Sequence, residues 1–223
     1  MKNTGLMERP AATMKLVGGR LCLDFVNTVG GRLIPPGKEV DRLESTIRSD
    51  KLGEYADLLA WGVHAKLLSE KEADSLAFKA THETGEAVRI FQRGKELREA
   101  IHRVCRSIVY GVSPEEPDVA LLNAEIAEAK GHQRLAPNEK QFTWQWEEGT
   151  WLDRMLWPIA LSAAELLTQD DLARLKECGG DECHWLFEDT SRNGRRQWCT
   201  MEDCGNVAKV RNFRERKKAE ARG

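Results

Sequence analysis

With 223 residues, the chain is long enough for one medium domain and a small extra module. Hydrophobic residues make up 41% and charged residues 31%, as in globular proteins that face water, and no apolar run approaches the ~20 residues that span a membrane. The formal net charge is −2, so a phosphate-binding surface has to be sought segment by segment.

Met1 to Ala12 carries charges and no apolar signal core, which argues against export and for a cytoplasmic, reducing setting. Leu21 to Val29 follows Gly18-Gly19, and its apolar positions leave helix and strand open. Asp24 and Asn27 would share one face of a helix. They are candidates to line a ligand pocket, against the alternative of buried hydrogen bonds that fix a loop. Gly30 to Val40, with Pro35-Pro36-Gly37, reads as a loop.

Leu52 to Leu68 has a helical apolar face of Leu52, Tyr55, Ala56, Leu59, Val63 and Leu67. Ser69 with Glu72 three residues later is a capping box. It opens a long helical stretch to about Tyr110, with Gly85 and Gly94 as points of breakage or bending. Val88, Phe91, Leu97, Ile101, Val104, Cys105 and Ile108 form its core face. Cys22 and Cys105 read as small buried hydrophobes. His64 and His102 are single helical histidines, read as satisfied or exposed side chains rather than ligands.

Ser113 to Pro117 starts another helix, with Leu121, Leu122, Ile126 and Ala129 inward and an end near Gly131. Then the period changes. Phe142-Thr143-Trp144-Gln145-Trp146 alternates by two and predicts a strand, with Arg134-Leu135-Ala136 as its hairpin partner. The three aromatics share a face; they suit one side of a small core, or stacking on nucleic-acid bases. Trp151 to Leu167 is the last helix of this part, kinked by Pro158 unless that residue sits in a first turn. Thr168 to Asp171 is the expected linker, dividing residues 1–170 from 171–223, and Leu172 to Leu175 is expected to run extended into Cys178.

The second part is built on four cysteines in two like pairs, Cys178/Cys183 and Cys199/Cys204, with four residues inside each pair and fifteen between the pairs. Four thiolates close a tetrahedral Zn2+ shell and leave no open position, so the ion builds structure and does not activate water. Two disulfides or two reduced structural pairs are the alternatives, and disulfides are disfavoured in a reducing compartment. His184, beside Cys183, is a weak alternative ligand. Trp185 to Asp189 reads as a short strand, Asn193-Gly194 as a tight turn, and Arg195 to Trp198 as the returning strand. A helix from Val207 to about Arg222 follows the last cysteine. Its Val207, Val210 and Phe213 are expected to pack on the hairpin.

From Gly205 onward there are seven basic and two acidic residues, about +5 on a chain whose remaining residues carry about −7. Arg192, Arg195 and Arg196 at the hairpin tip, with Lys209, Arg211, Arg214, Arg216, Lys217 and Lys218 on the helix, are candidate phosphate contacts. The bland alternative is that nearby arginines offset the charge of a four-thiolate zinc site.

Trp198-Cys199-Thr200-Met201, Cys204-Gly205-Asn206, Ala208-Lys209-Val210-Arg211 and the run Phe187 to Arg196 resemble the CGNR-type zinc finger. Gly18, Gly19, Leu23, Asp24, Phe25, Asn27 and Thr28 resemble the opening of the ABATE domain that precedes that finger in bacterial proteins labelled stress-induced transcription regulators. The chain departs from the family at Val207, where an arginine is usual. The fold class expected is mainly α: a multihelical N-terminal domain with one β-hairpin, then a treble-clef-like four-cysteine zinc module ending in a basic helix. The resemblance and the charge segregation imply a zinc-containing, DNA-binding transcription regulator. DNA is expected ahead of RNA, no membrane is involved, and a small-molecule effector and a second copy of the chain are further candidate partners. A non-catalytic sensor with a structural zinc module is the other reading. The sequence has no phosphate-cradling glycine loop, His-Glu-x-x-His or nucleophile elbow, so no enzyme is expected.

Overall fold

The computed structural model describes residues 4–33 and 46–220. Most of the loop expected over Gly30 to Val40, including Pro35-Pro36-Gly37, lies outside the described residues. Among those described are eight α-helices and three two-stranded antiparallel sheets. None of the helices is long and apolar enough to cross a membrane.

The helical part holds α1 (Thr4–Met7), α2 (Leu21–Val26), α3 (Tyr55–His64), α4 (Glu70–His82), α5 (Thr84–Tyr110), α6 (Glu116–Gly131) and α7 (Leu156–Leu167). Helix α2 settles the stretch whose period was open. Helix α5 is the axis of the core and packs on α2, α3, α4, α6 and α7. It passes α7 closely at Gly94, where a Cβ would lie 3.2 Å from Leu156. The core is filled by Leu23, Phe25, Leu58, Leu59, Trp61, Leu97, Ile101, Leu156, Trp157 and Ile159. Phe25 and Trp61 meet with ring centroids 5.0 Å apart.

Local chemistry sets the ends. Ser69 accepts from the Glu72 N–H, and the Glu72 carboxylate accepts from the Ser69 N–H, so the expected capping box opens α4. The expected long helix is two helices that part at Glu83, two residues before Gly85. Helix α5 ends at Gly111, whose φ of 66° is a left-handed cap that glycine adopts without steric cost. Helix α7 starts at Leu156, which puts Pro158 in its first turn. Val88, expected in the core, is exposed.

The sheet β1 (Arg32–Leu33) with β2 (Thr46–Ile47) is short. Strands β3 (Gln133–Asn138) and β4 (Gln141–Trp146) form the expected aromatic hairpin, turning through Glu139-Lys140. The expectation that its aromatics back a core fails at the tip: Phe142 is 66% and Trp144 64% exposed, and only Trp146 packs inward.

The third sheet joins the two parts. Strand β5 (Leu175–Glu177) pairs with β6 (Leu186–Glu188). Leu175 and Leu186 belong to the main helical core. Asn27 spans to β6: its Nδ2 donates to the Leu186 carbonyl at 2.8 Å and its Oδ1 accepts from the Leu186 N–H at 3.0 Å. Gly18 contributes its carbonyl to the Glu188 N–H at 2.8 Å. No side chain fits at Gly18, where a Cβ would lie 2.7 Å from that of Leu23. Gly19, at φ 79°, adopts a left-handed conformation, and Arg20 after it pairs with Glu188 of β6 at 2.7 Å. Asp24 accepts from the Gly18 N–H at 2.8 Å and holds this turn. The cysteine module is therefore docked on the helical part rather than tethered to it.

Replacing Asn27 with alanine leaves a buried N–H and a buried C=O of β6 without partners. The expected loss is about 2–4 kcal/mol of unfolding free energy, read from urea denaturation. A change below 1 kcal/mol would contradict the docking role.

Candidate metal centre and basic helix

The turn between β5 and β6 carries the first two cysteines. The Cys178 N–H donates to the Trp185 carbonyl at 2.8 Å and the Cys183 N–H to the Gly180 carbonyl at 3.1 Å, which folds Cys178–Cys183 back on itself. Gly180 faces the sulfurs; a Cβ there would lie 3.1 Å from Cys204 Sγ. The second pair arrives on a different path from the one expected. Arg195 to Trp198 forms no strand, and the partner of β6 is β5, on the other side of the first pair. Asp189 explains the change. Its buried carboxylate takes the Arg196 N–H at 2.8 Å, the Ser191 N–H at 3.0 Å and Lys176 Nζ at 2.7 Å, so the chain wraps around it instead of pairing. Burial would raise this carboxyl; those donors outweigh it and hold it well below the usual carboxylate range.

Cys199 then reaches the first pair, with its N–H donating to Cys178 Sγ at 3.2 Å. Thr200 caps the turn Met201–Gly205 by accepting from the Asp203 N–H at 3.1 Å, and this turn runs directly into α8 (Asn206–Glu220).

The four Sγ atoms lie within 4.8 Å of one another. Cys183 to Cys199 and Cys199 to Cys204 are each 3.6 Å. A tetrahedron with Zn–S bonds of 2.3 Å has edges of about 3.8 Å, whereas a disulfide needs about 2.05 Å. Thiol hydrogen bonds from Cys183 and Cys199 hold Cys178 far below an ordinary thiol, and the resulting anion pushes Cys183 and Cys199 up. Four thiolates at this distance repel one another, and a dication bound among them offsets much of that repulsion. Donor chemistry, count and spacing fit Zn2+. Around the sulfurs, Phe187, Val17, Trp185 and Trp198 form a small separate core. His184 is turned away, with Nδ1 2.7 Å from Glu177 and Nε2 3.1 Å from the Asp181 carbonyl.

The other singled-out residues divide. Asp24 and Asn27 are spent on backbone groups, as described above. Arg196 is a structural residue: its guanidinium donates to the Val17 carbonyl at 3.0 Å, the Trp198 carbonyl at 3.0 Å and the Cys199 carbonyl, over the Phe187 ring. Arg211 pairs with Asp181 of the first knuckle. Arg192, Arg195, Lys209, Arg214, Arg216, Lys217 and Lys218 are exposed. Helix α8 carries six basic and two acidic residues, and only Ala208 on it is buried. Its apolar stripe does not pack on the hairpin as expected; Val207 is 70% and Phe213 53% exposed. Sequence reasoning missed the docking set of Gly18, Trp185, which donates to the Val29 carbonyl at 2.9 Å, and Arg196. The Gly18-to-Thr28 motif marked one side of the contact, but nothing local pointed to its partner, 159 residues away at Asn27–Leu186.

The geometry defines a zinc-finger protein whose finger is fused to a helical domain. The family model described as "Putative stress-induced transcription regulator", ABATE, matches residues 19–170, and the CGNR zinc finger model matches residues 174–217. The chain belongs to the ABATE family and carries a C-terminal CGNR zinc finger. No curated protein matches it.

Purified protein is expected to hold one zinc per chain by elemental analysis. Cys199→Ala should lower this below one-tenth while the far-UV helical signal of α2 to α7 is largely kept. Full zinc in that variant would overturn the four-sulfur assignment.

Proposed function

We propose that the chain is a non-catalytic, cytoplasmic regulator of transcription that binds duplex DNA through its zinc module. The observation that carries this reading is α8. It leaves the zinc knuckle as a helix with one buried residue and an excess of four positive charges, while the chain as a whole is −2. A structural role for that charge would place the cations against the sulfurs or against acids of the same chain. Arg211 and Arg196 are used so, but Lys209, Arg214, Lys217 and Lys218 are directed at solvent. Exposed cations on a rigid support suit a phosphate backbone, whose neutralisation releases counterions. Arg192 and Arg195 extend the surface, and Val207 stands where relatives carry a further cation.

RNA is the second reading, favoured by one observation: the exposed aromatic tip of β4, Phe142 with Trp144, offers a stacking surface.

Affinity for a duplex should fall with salt with a log–log slope of about −0.9 per phosphate neutralised. Replacing Lys209, Arg214 and Lys218 with alanine should make that slope shallower by about 2–3. An unchanged slope and affinity would sink the assignment to α8. Loss of single-stranded RNA binding on Phe142→Ala with Trp144→Ala, with no duplex binding in the parent, would select the RNA reading instead.

A further inference from the structure

Away from the sulfurs, three side chains converge where α6 ends and the chain approaches α7. One ligand atom from each of Glu128, His132 and Asp153 lies within 4.8 Å of the other two. Glu128 is in the last turn of α6, His132 caps that helix, and Asp153 stands three residues before α7. The side chains of Asp153 and His132 are 12% and 15% exposed, while that of Glu128, at 50%, opens the group to water.

How His132 is held decides what the group can do. Its ring lies flat on Trp157, with centroids 3.8 Å apart and planes 11° from parallel. Its Nδ1 is 2.6 Å from Glu147 Oε1, and Arg134 holds the other oxygen of that carboxylate. An ionised carboxylate only accepts, so Nδ1 carries a proton. In the neutral ring Nε2 then turns a lone pair toward Glu128 Oε1, 3.3 Å away. Two acceptors at this distance repel unless a cation lies with them. The arginines nearby are already spent. Arg93 takes both oxygens of Glu125, at 2.6 and 2.9 Å, and Asp153 Oδ2 at 2.9 Å. Among the described residues Glu128 pairs with no lysine or arginine. Trp157 Nε1 also donates to Asp153 Oδ2, at 3.2 Å, so both of these donors leave Oδ1 for another ligand. The C-terminal end of α6 favours positive charge at the same place.

The distances suit a metal ion. Ligand bonds of about 2.1 Å at tetrahedral angles put donor atoms about 3.4 Å apart, close to the separation of Nε2 and Oε1. A carboxylate on the far ring nitrogen is the usual support of a metal-bound histidine. The geometry points to a second metal site, in the helical domain, where His132 Nε2, Glu128 and Asp153 hold a divalent transition ion of the zinc, cobalt or nickel class. Glu147 is the positioning residue, since it fixes the ring and its tautomer. One imidazole with two carboxylates favours such borderline ions over Mg2+ and Ca2+, which take oxygen. Three protein ligands leave a position for water, so this ion exchanges where the one among four thiolates is closed in. When bound, it would tie the end of α6 to the approach to α7, beside the root of the aromatic hairpin. None of this depends on DNA binding by α8.

A proton on Nε2, bridging two glutamates, is the competing occupant. Calorimetric titration of Zn2+ into the untagged full chain, already holding its finger zinc, separates the two. One further equivalent of Zn2+ should bind, with a shift of the His132 Nε2 resonance, and Mg2+ should give no such equivalent. Glu128→Gln, at an exposed position, and His132→Gln should each lose the further equivalent and keep the finger zinc. Glu147→Gln, which leaves all three ligands in place, should weaken it by about 10–100-fold. No further equivalent at millimolar Zn2+ would mean that a proton fills the place, and the proposal fails. An undiminished equivalent in Glu128→Gln and His132→Gln would put the ion elsewhere. Mg2+ binding as tightly as Zn2+ would remove the histidine from the ligand set. Either result overturns the site.

Discussion

Four sulfur atoms drawn together from two distant turns are the constraint on which the C-terminal quarter of the molecule depends. All four lie within 4.8 Å of one another, and two of the pairs are 3.6 Å apart. The small core around them, Phe187 with Val17, Trp185 and Trp198, is too slight to hold that arrangement by apolar burial alone. The ion that fits the sulfurs takes the place of a larger core. It fixes where the chain leaves the second turn, and thereby the direction in which α8 sets out.

That module is not independent of the helical part. Asn27 and Gly18 bind backbone groups of the module, Trp185 of the module binds the Val29 carbonyl, and Leu175 and Leu186 belong to the helical core rather than to the sulfur cluster. Backbone contacts of this kind demand exact placement and few side-chain identities. This gives the Gly18-to-Thr28 motif a physical meaning. Its glycines admit close approach, Asp24 holds the turn, and Asn27 presents an amide that mimics one more strand residue. Its residues join the two halves.

How much of this was legible in the sequence depended on how local each signal was. The capping box at Ser69 and the first-turn alternative for Pro158 follow from chemistry within a few residues. The cysteine spacing announced its ligand set for the same reason. The route of the chain between the cysteine pairs did not, because Asp189 organises it from within and its three partners are scattered over Lys176 to Arg196. Periodicity marked Val88 and the stripe on α8 as apolar faces, but periodicity says that a face exists and not that anything covers it. The buried ring nitrogens of His102, without a partner among the described residues, were beyond reach, since burial without a partner is a property of the assembled core.

The exposure of α8 has a thermodynamic consequence. A helix of 15 residues held by its first turn and by Arg211 on Asp181 is near the length at which isolated helices are marginal in water. A partner that lay along it would arrest fraying and, where it covered the exposed Val207, Val210 and Phe213, would bury apolar surface. Such an encounter carries a negative heat-capacity change and an ordering cost that grows with temperature. Grip on the target would therefore weaken on warming well before the rest of the molecule loosens.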